Sequence, residues 1–82
     1  MKSIEMIAWF TIEGVPIPLR FRLKENDEWK TIKVDDVCHK DSRYKEGIHI
    51  HTFICQSVIA GLLRKYEIIY EHETCKWLLY KM

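Results

Sequence analysis

His49-Ile50-His51 is the one short pattern in this chain whose residue types and spacing suit chemistry. Two histidines two positions apart on a β-strand project from the same face, so both can offer a nitrogen to one metal ion. A third ligand would come from Glu71, His39, His72 or a cysteine. A hairpin register that sets Glu71 opposite His49 makes the metal set His49, His51 and Glu71. The same register makes Glu71 an ion-pair partner instead, and alternation alone also produces same-face histidines that are simply solvated.

A second grouping is cationic. Arg20, Arg22 and Lys24 fall on one face of an alternating segment, with Trp29, Lys30 and Lys33 following after a polar turn. Cations beside an exposed aromatic ring can track a phosphate backbone while a base stacks on the ring. The nucleic-acid set is therefore Arg20, Arg22, Lys24, Trp29 and Lys33. Against it, Glu25, Asp27, Glu28, Asp35 and Asp36 lie close in sequence and offset the field.

Nothing else reads as catalytic. Asp35-Asp36 diverge on a regular strand, and Cys38-His39 point to opposite faces, where they cannot act as nucleophile and base. There is no glycine-rich phosphate loop, no GxSxG and no motif for a cofactor, so neither an enzyme nor a cofactor is expected.

The elements that would position these groups are legible from alternation. Ile17, Leu19, Phe21 and Leu23 trade places with Pro18, Arg20, Arg22 and Lys24, and no segment carries a helical stripe. Six strands are expected: Ile4–Ile12, Ile17–Leu23, Trp29–Cys38 with a bulge at Asp35-Asp36, Ile48–Val58, Leu62–Glu71 and Cys75–Lys81. His39–Gly47 reads as a mobile polar loop. Short connections without crossover helices imply an all-β antiparallel meander over residues 1–82, one domain, curled into a small, partly closed SH3-like barrel.

With Ile59-Ala60-Gly61 as a three-residue loop, Ile50, Thr52 and Ile54 join Tyr66, Ile68 and Tyr70 in the core. A two-residue turn at Glu73-Thr74 adds Trp77 and Leu79 to them. Phe53, Ile69, Leu78 and Tyr80 then form an outer cluster fringed by His51, covered by the segment around Trp9 or open to a protein partner or a second copy. This partner-binding face is the leading functional expectation.

Composition limits the rest. Thirteen basic against twelve acidic residues give a net charge of +1, well short of a dedicated duplex binder. The N-terminal residues lack the apolar run of a secretion signal, and no run approaches the ~20 residues of a membrane span. Three widely spaced cysteines without a CxxC suit a reducing, cytoplasmic setting.

Across PIPLRFRL, the VDDV strand end, FICQS and the closing YEIIYEHETCKWLLYKM, the sequence resembles small uncharacterised bacterial all-β proteins of this length. It is also distantly similar to a bacterial domain of unknown function often encoded beside DNA-repair polymerase genes. The likeness rests on Arg20-Phe21-Arg22 before a valine–acid step, and on Tyr66-Glu67-Ile68 before a hairpin bearing Trp77. It implies a cytoplasmic accessory protein with a tie to DNA metabolism, and it carries over no catalytic residues.

Overall fold

A computed structural model describes all 82 residues, which form one antiparallel sheet of seven strands. They are β1 (Lys2–Phe10), β2 (Pro16–Glu25), β3 (Glu28–Lys33), β4 (Asp36–Lys45), β5 (Ile48–Ile59), β6 (Leu62–Glu71) and β7 (Lys76–Lys81). The spatial order is β3-β2-β1-β7-β6-β5-β4. Two local meanders, β1–β3 and β4–β7, are therefore joined by β1 lying against β7.

The expected count of six strands is corrected to seven. Trp29–Cys38 is not one bulged strand: the chain leaves β3 at Lys33, and Val34-Asp35 carries it into β4 on the far edge of the sheet. The run expected as a mobile loop is most of β4, paired with β5 from Asp36↔Gln56 to Lys45↔Ile48. Its sequence hides it because an edge strand with almost no covered face has no reason to alternate; only Val37 is partly buried.

β3 and β4 are the two sheet edges, yet only two residues separate them, so the sheet must coil until these edges approach at one end. The junction is pinned by hydrogen bonds to β2 and β5. Val34 N–H donates to the Leu19 carbonyl at 2.9 Å, and Asp35 N–H to that of Gln56 at 3.1 Å. The Asp35 carboxylate accepts from Val58 N–H at 2.8 Å, which is the work this acidic residue does. Ser57 Oγ donates to the Lys33 carbonyl at 2.5 Å. Having spent its one proton there, Ser57 accepts from the buried Tyr66 hydroxyl at 2.6 Å. No ladder joins β3 to β4, and the sheet is not closed. Between the halves lies a cleft of about 430 Å³, floored by Leu23, Ile32 and Leu79.

Tight turns set the registers. Asn26-Asp27, Glu46-Gly47 and Ala60-Gly61 each place two successive residues at positive φ, the geometry of two-residue hairpins that match strand twist. At Ala60-Gly61 this pairs Ile59 with Leu62, one residue away from the three-residue loop expected. That single step inverts β5. His51, Phe53, Cys55 and Ser57 face inward opposite Tyr70, Ile68, Tyr66 and Arg64, while Ile50, Thr52 and Ile54 face out.

A bulge inverts part of β2 in the same way. Ile7 pairs with Arg20 but Ala8 with Pro18, so Leu19 is skipped. Phe21 and Leu23 point inward as expected, whereas beyond the bulge it is Pro16 and Pro18 that are buried and Ile17 and Leu19 that are exposed. The core consists of Ile4, Phe21, Leu23, Ile32, Phe53, Cys55, Tyr66, Ile68, Tyr70, Trp77 and Leu79. Trp77 and Leu79 are inward as expected, although the last turn spans His72–Cys75 rather than two residues.

The inward row of β5 can be checked by thiol chemistry. All three cysteines are free; Cys38 and Cys75 are exposed, while Cys55 is buried. Burial pushes its thiol up to about 12, which removes the reactive thiolate at neutral pH. A maleimide at pH 7 is expected to label two thiols within minutes and the third only after denaturation. Equal reactivity of all three would place Cys55 on the wrong face.

Candidate functional site

Two groupings bear on function, one on the outer face of β1–β3 and one at the end of β5 and β6. On the first, the cationic set is assembled by register. Arg20 lies opposite Lys33, Arg22 opposite Thr31 and Lys24 opposite Trp29, so all five expected residues share one outer face. The Arg22 guanidinium sits 4.3 Å from the Trp29 ring centroid, and its Nε donates to Glu5 at 2.7 Å. Lys24 reaches the same ring at 6.0 Å. Lys30 faces the other way, toward Glu25, where it joins Lys2. The hydrogen bonds from Lys30 and Lys2 hold the Glu25 carboxyl below its ordinary range.

Sequence reading missed what adjoins these cations. The β1–β7 ladder ends at Ile4↔Trp77, and beyond it β1 and β2 continue as a two-stranded ribbon. Trp9 stands directly opposite Ile17, with Ile7 and the bulged Leu19 beside them on the same face. These four side chains are 66%, 38%, 64% and 40% exposed, which makes a contiguous apolar block ending at Arg20. The ribbon's other face is partly covered: Pro16 and Pro18 are buried, and Phe10, half exposed, meets the Tyr70 ring edge-on at 5.7 Å. The only sequence signal for the block was the conflict between Pro18 and an inward Ile17 and Leu19, which a bulge resolves.

The outer cluster expected on β5–β7 does not form as such. Phe53 is buried, stacked on Trp77 at 5.9 Å, and His51 is buried as well, both because β5 is inverted. Ile69 and Leu78 lie opposite each other on the outside, partly buried, and Tyr80 is exposed. The Trp9 segment does not cover them.

The second grouping is built from histidines. His49 and His51 share the inner face of β5, as their spacing requires. His72, the first residue after β6, is anchored by its N–H donating to the His49 carbonyl at 3.0 Å. The three rings lie 4.3–4.7 Å apart between centroids, and one nitrogen from each falls within 4.8 Å of the others. Tyr44 stacks on His49 at 4.6 Å, and Ser42 Oγ engages its Nε2 at 2.7 Å. Tyr70 closes the far side, edge-on to His72 at 5.0 Å.

Burial, followed by the proximity of the neighbouring histidines, lowers the pKa of His51 and of His72. His72 Nε2 is buried with no hydrogen-bond partner in the chain, an arrangement that costs roughly 1–3 kcal/mol. Glu71 does not belong to this set. It pairs with Ile50 on the opposite face, and its carboxylate accepts from the Thr74 hydroxyl at 3.1 Å. His39 lies beyond a bulge on β4, exposed and opposite Ile54, well away from the cluster.

Compared with known proteins, the chain matches no family model, no curated protein and no solved structure. The functional reading therefore rests on geometry. No helix is long and apolar enough to cross a membrane.

Proposed function

We propose that this protein is a non-enzymatic interaction module, a partly closed small barrel that binds a protein partner through the outer face of β1–β3. The observation that carries the reading is the exposed block of Ile7, Trp9, Ile17 and Leu19, continuous with Arg20, Arg22, Lys24 and Lys33. An apolar centre with a charged margin, rich in Trp and Arg, is how protein interfaces are composed. The partner that fits presents an apolar patch bordered by carboxylates.

Charge argues against a second copy as the occupant. The face carries four cations and, among anions, only Glu5, already bonded to Arg22, so two such faces in contact would oppose like charges. A nucleic-acid single strand would use the cations, but the exposed Trp9 ring is set among Ile7, Ile17 and Leu19, which offer bases nothing to stack on, and Arg22 already covers one side of Trp29.

The test places a photoreactive benzoylphenylalanine at Ile17, or at exposed Lys65 on the far side, in an extract of the source cells. One discrete protein adduct is expected from position 17 and none from 65. Arg20→Glu and raised salt should weaken it, and Trp9→Ala should reduce the partner's affinity about 30-fold, a central-anchor effect near 2 kcal/mol. Adducts only with the chain itself, or equal labelling from both positions, would overturn the proposal. So would saturable binding of a fluorescent single-stranded oligonucleotide that Arg20→Glu abolishes.

A further inference from the structure

The histidine cluster is independent of that face and points to a different ligand. We infer that His49, His51 and His72 together bind one divalent transition-metal ion of the zinc class.

Three observations converge. First, three elements of the fold are spent on bringing these rings together: the inward row of β5, the end of β6 and the backbone bond from His72 to His49 at 3.0 Å. Second, the ligand atoms already lie within 4.8 Å of one another, and a tetrahedral ion at 2.0–2.1 Å from each would hold them about 3.3 Å apart. Closing that difference asks each nitrogen to move at most about 1 Å toward a common centre. Third, His72 Nε2 is buried and without a partner, and a lone pair on a neutral imidazole is what a metal ion takes.

The surroundings fit the same chemistry. Ser42 engages Nε2 of His49, which leaves Nδ1 as that ring's uncommitted nitrogen and fixes the ring in one orientation. Tyr44 and Tyr70 pack against the outer two rings and restrict their rotation. Imidazole-only ligation suits zinc, copper, nickel or cobalt rather than magnesium or calcium, which take oxygen. Three nitrogens leave the fourth position of a tetrahedral ion for water or for a group from outside the chain.

The fourth histidine supplies the control. His39 is exposed, lies outside the cluster and matches the others in type. Full-length chain purified without a histidine tag and stripped with chelator would be titrated with cobalt(II), read by its visible bands, and then with zinc in competition. One ion per chain is expected, with the intense bands of four-coordinate cobalt. His49→Asn and His72→Asn should each weaken binding at least 100-fold while circular dichroism stays strand-like. His39→Asn should leave binding unchanged, and Ser42→Ala should weaken it about 10-fold, as loss of a ligand-orienting partner does. If His51→Asn does not fold, the two half-buried positions still decide the matter. Binding below one ion per chain, or a loss on His39→Asn equal to that on His72→Asn, would overturn the inference.

Discussion

Phe21→Ala is expected to remove about 3–5 kcal/mol of folding stability, the cost of emptying a fully buried aromatic site. Phe21 is 1% exposed and meets the Tyr66 ring edge-on at 5.5 Å, so the neighbours on β6 cannot collapse into the space without losing their own contacts. A domain of this length holds about 4–12 kcal/mol in total, so the variant loses a large share of its stability and its urea midpoint falls steeply. Urea unfolding followed by tryptophan fluorescence measures this. Ile7→Ala, on the opposite face and 64% exposed, is expected to change stability by less than about 0.5 kcal/mol. Equal losses in the two variants would show that the face assignment of β1 and β2 is wrong.

The second large effect is at Ser57. Its hydroxyl joins the Lys33 carbonyl to the Tyr66 hydroxyl in a buried chain, and burial pushes the Tyr66 phenol up to about 12. Ser57→Ala strands both partners, and each buried group left unpaired costs about 1–3 kcal/mol. Removing the second hydroxyl in Ser57→Ala/Tyr66→Phe should recover part of that loss, with a coupling of about 1 kcal/mol or more in the double-mutant cycle. Hydrogen exchange offers a separate readout. The Val34 and Asp35 amides, which bond to Leu19 and Gln56, should lose protection in Ser57→Ala before the β5–β6 ladder does. Strict additivity of the two substitutions would mean that the hydroxyls do not communicate.

Much of this fold was legible because alternation reports a half-buried strand directly. β6 falls on Leu62–Glu71 as read, the inward Tyr66, Ile68 and Tyr70 are correct, and the cationic row of Arg20, Arg22, Lys24, Trp29 and Lys33 does share a face. What alternation cannot report is phase relative to a neighbour. Ile50, Thr52 and Ile54 looked as inward as His51, Phe53 and Cys55, and only the two-residue turn at Ala60-Gly61 chooses between them. The bulge that exposes Ile17 and Leu19 is likewise a matter of one skipped residue. β4 was invisible for the opposite reason, since a wet edge strand leaves no pattern to read.

The histidine site shows the same division. His49 and His51 were paired by spacing, which a strand guarantees, but the third member depended on the hairpin register and the length of the last turn. A register one residue away put Glu71 in that place; the actual one turns Glu71 outward and leaves His72 free to swing over the ring of His49. Type and spacing could nominate His72 only as one candidate among several.

Three residue pairs, Lys2↔Leu79, Ser3↔Leu78 and Ile4↔Trp77, form the strand ladder that joins the two meanders. Because they join β1 to β7, neither meander can complete the shared interior until both strands have been made. Each half can pair locally within microseconds, and the sheet is then completed by the slower pairing of β1 with β7, which closes the longest loop between any two paired strands. Until that moment Ile4 lacks its neighbour Trp77 and the facing edges of β1 and β7 stand unpaired, and a chain in this state is the form most exposed to chaperones and to aggregation.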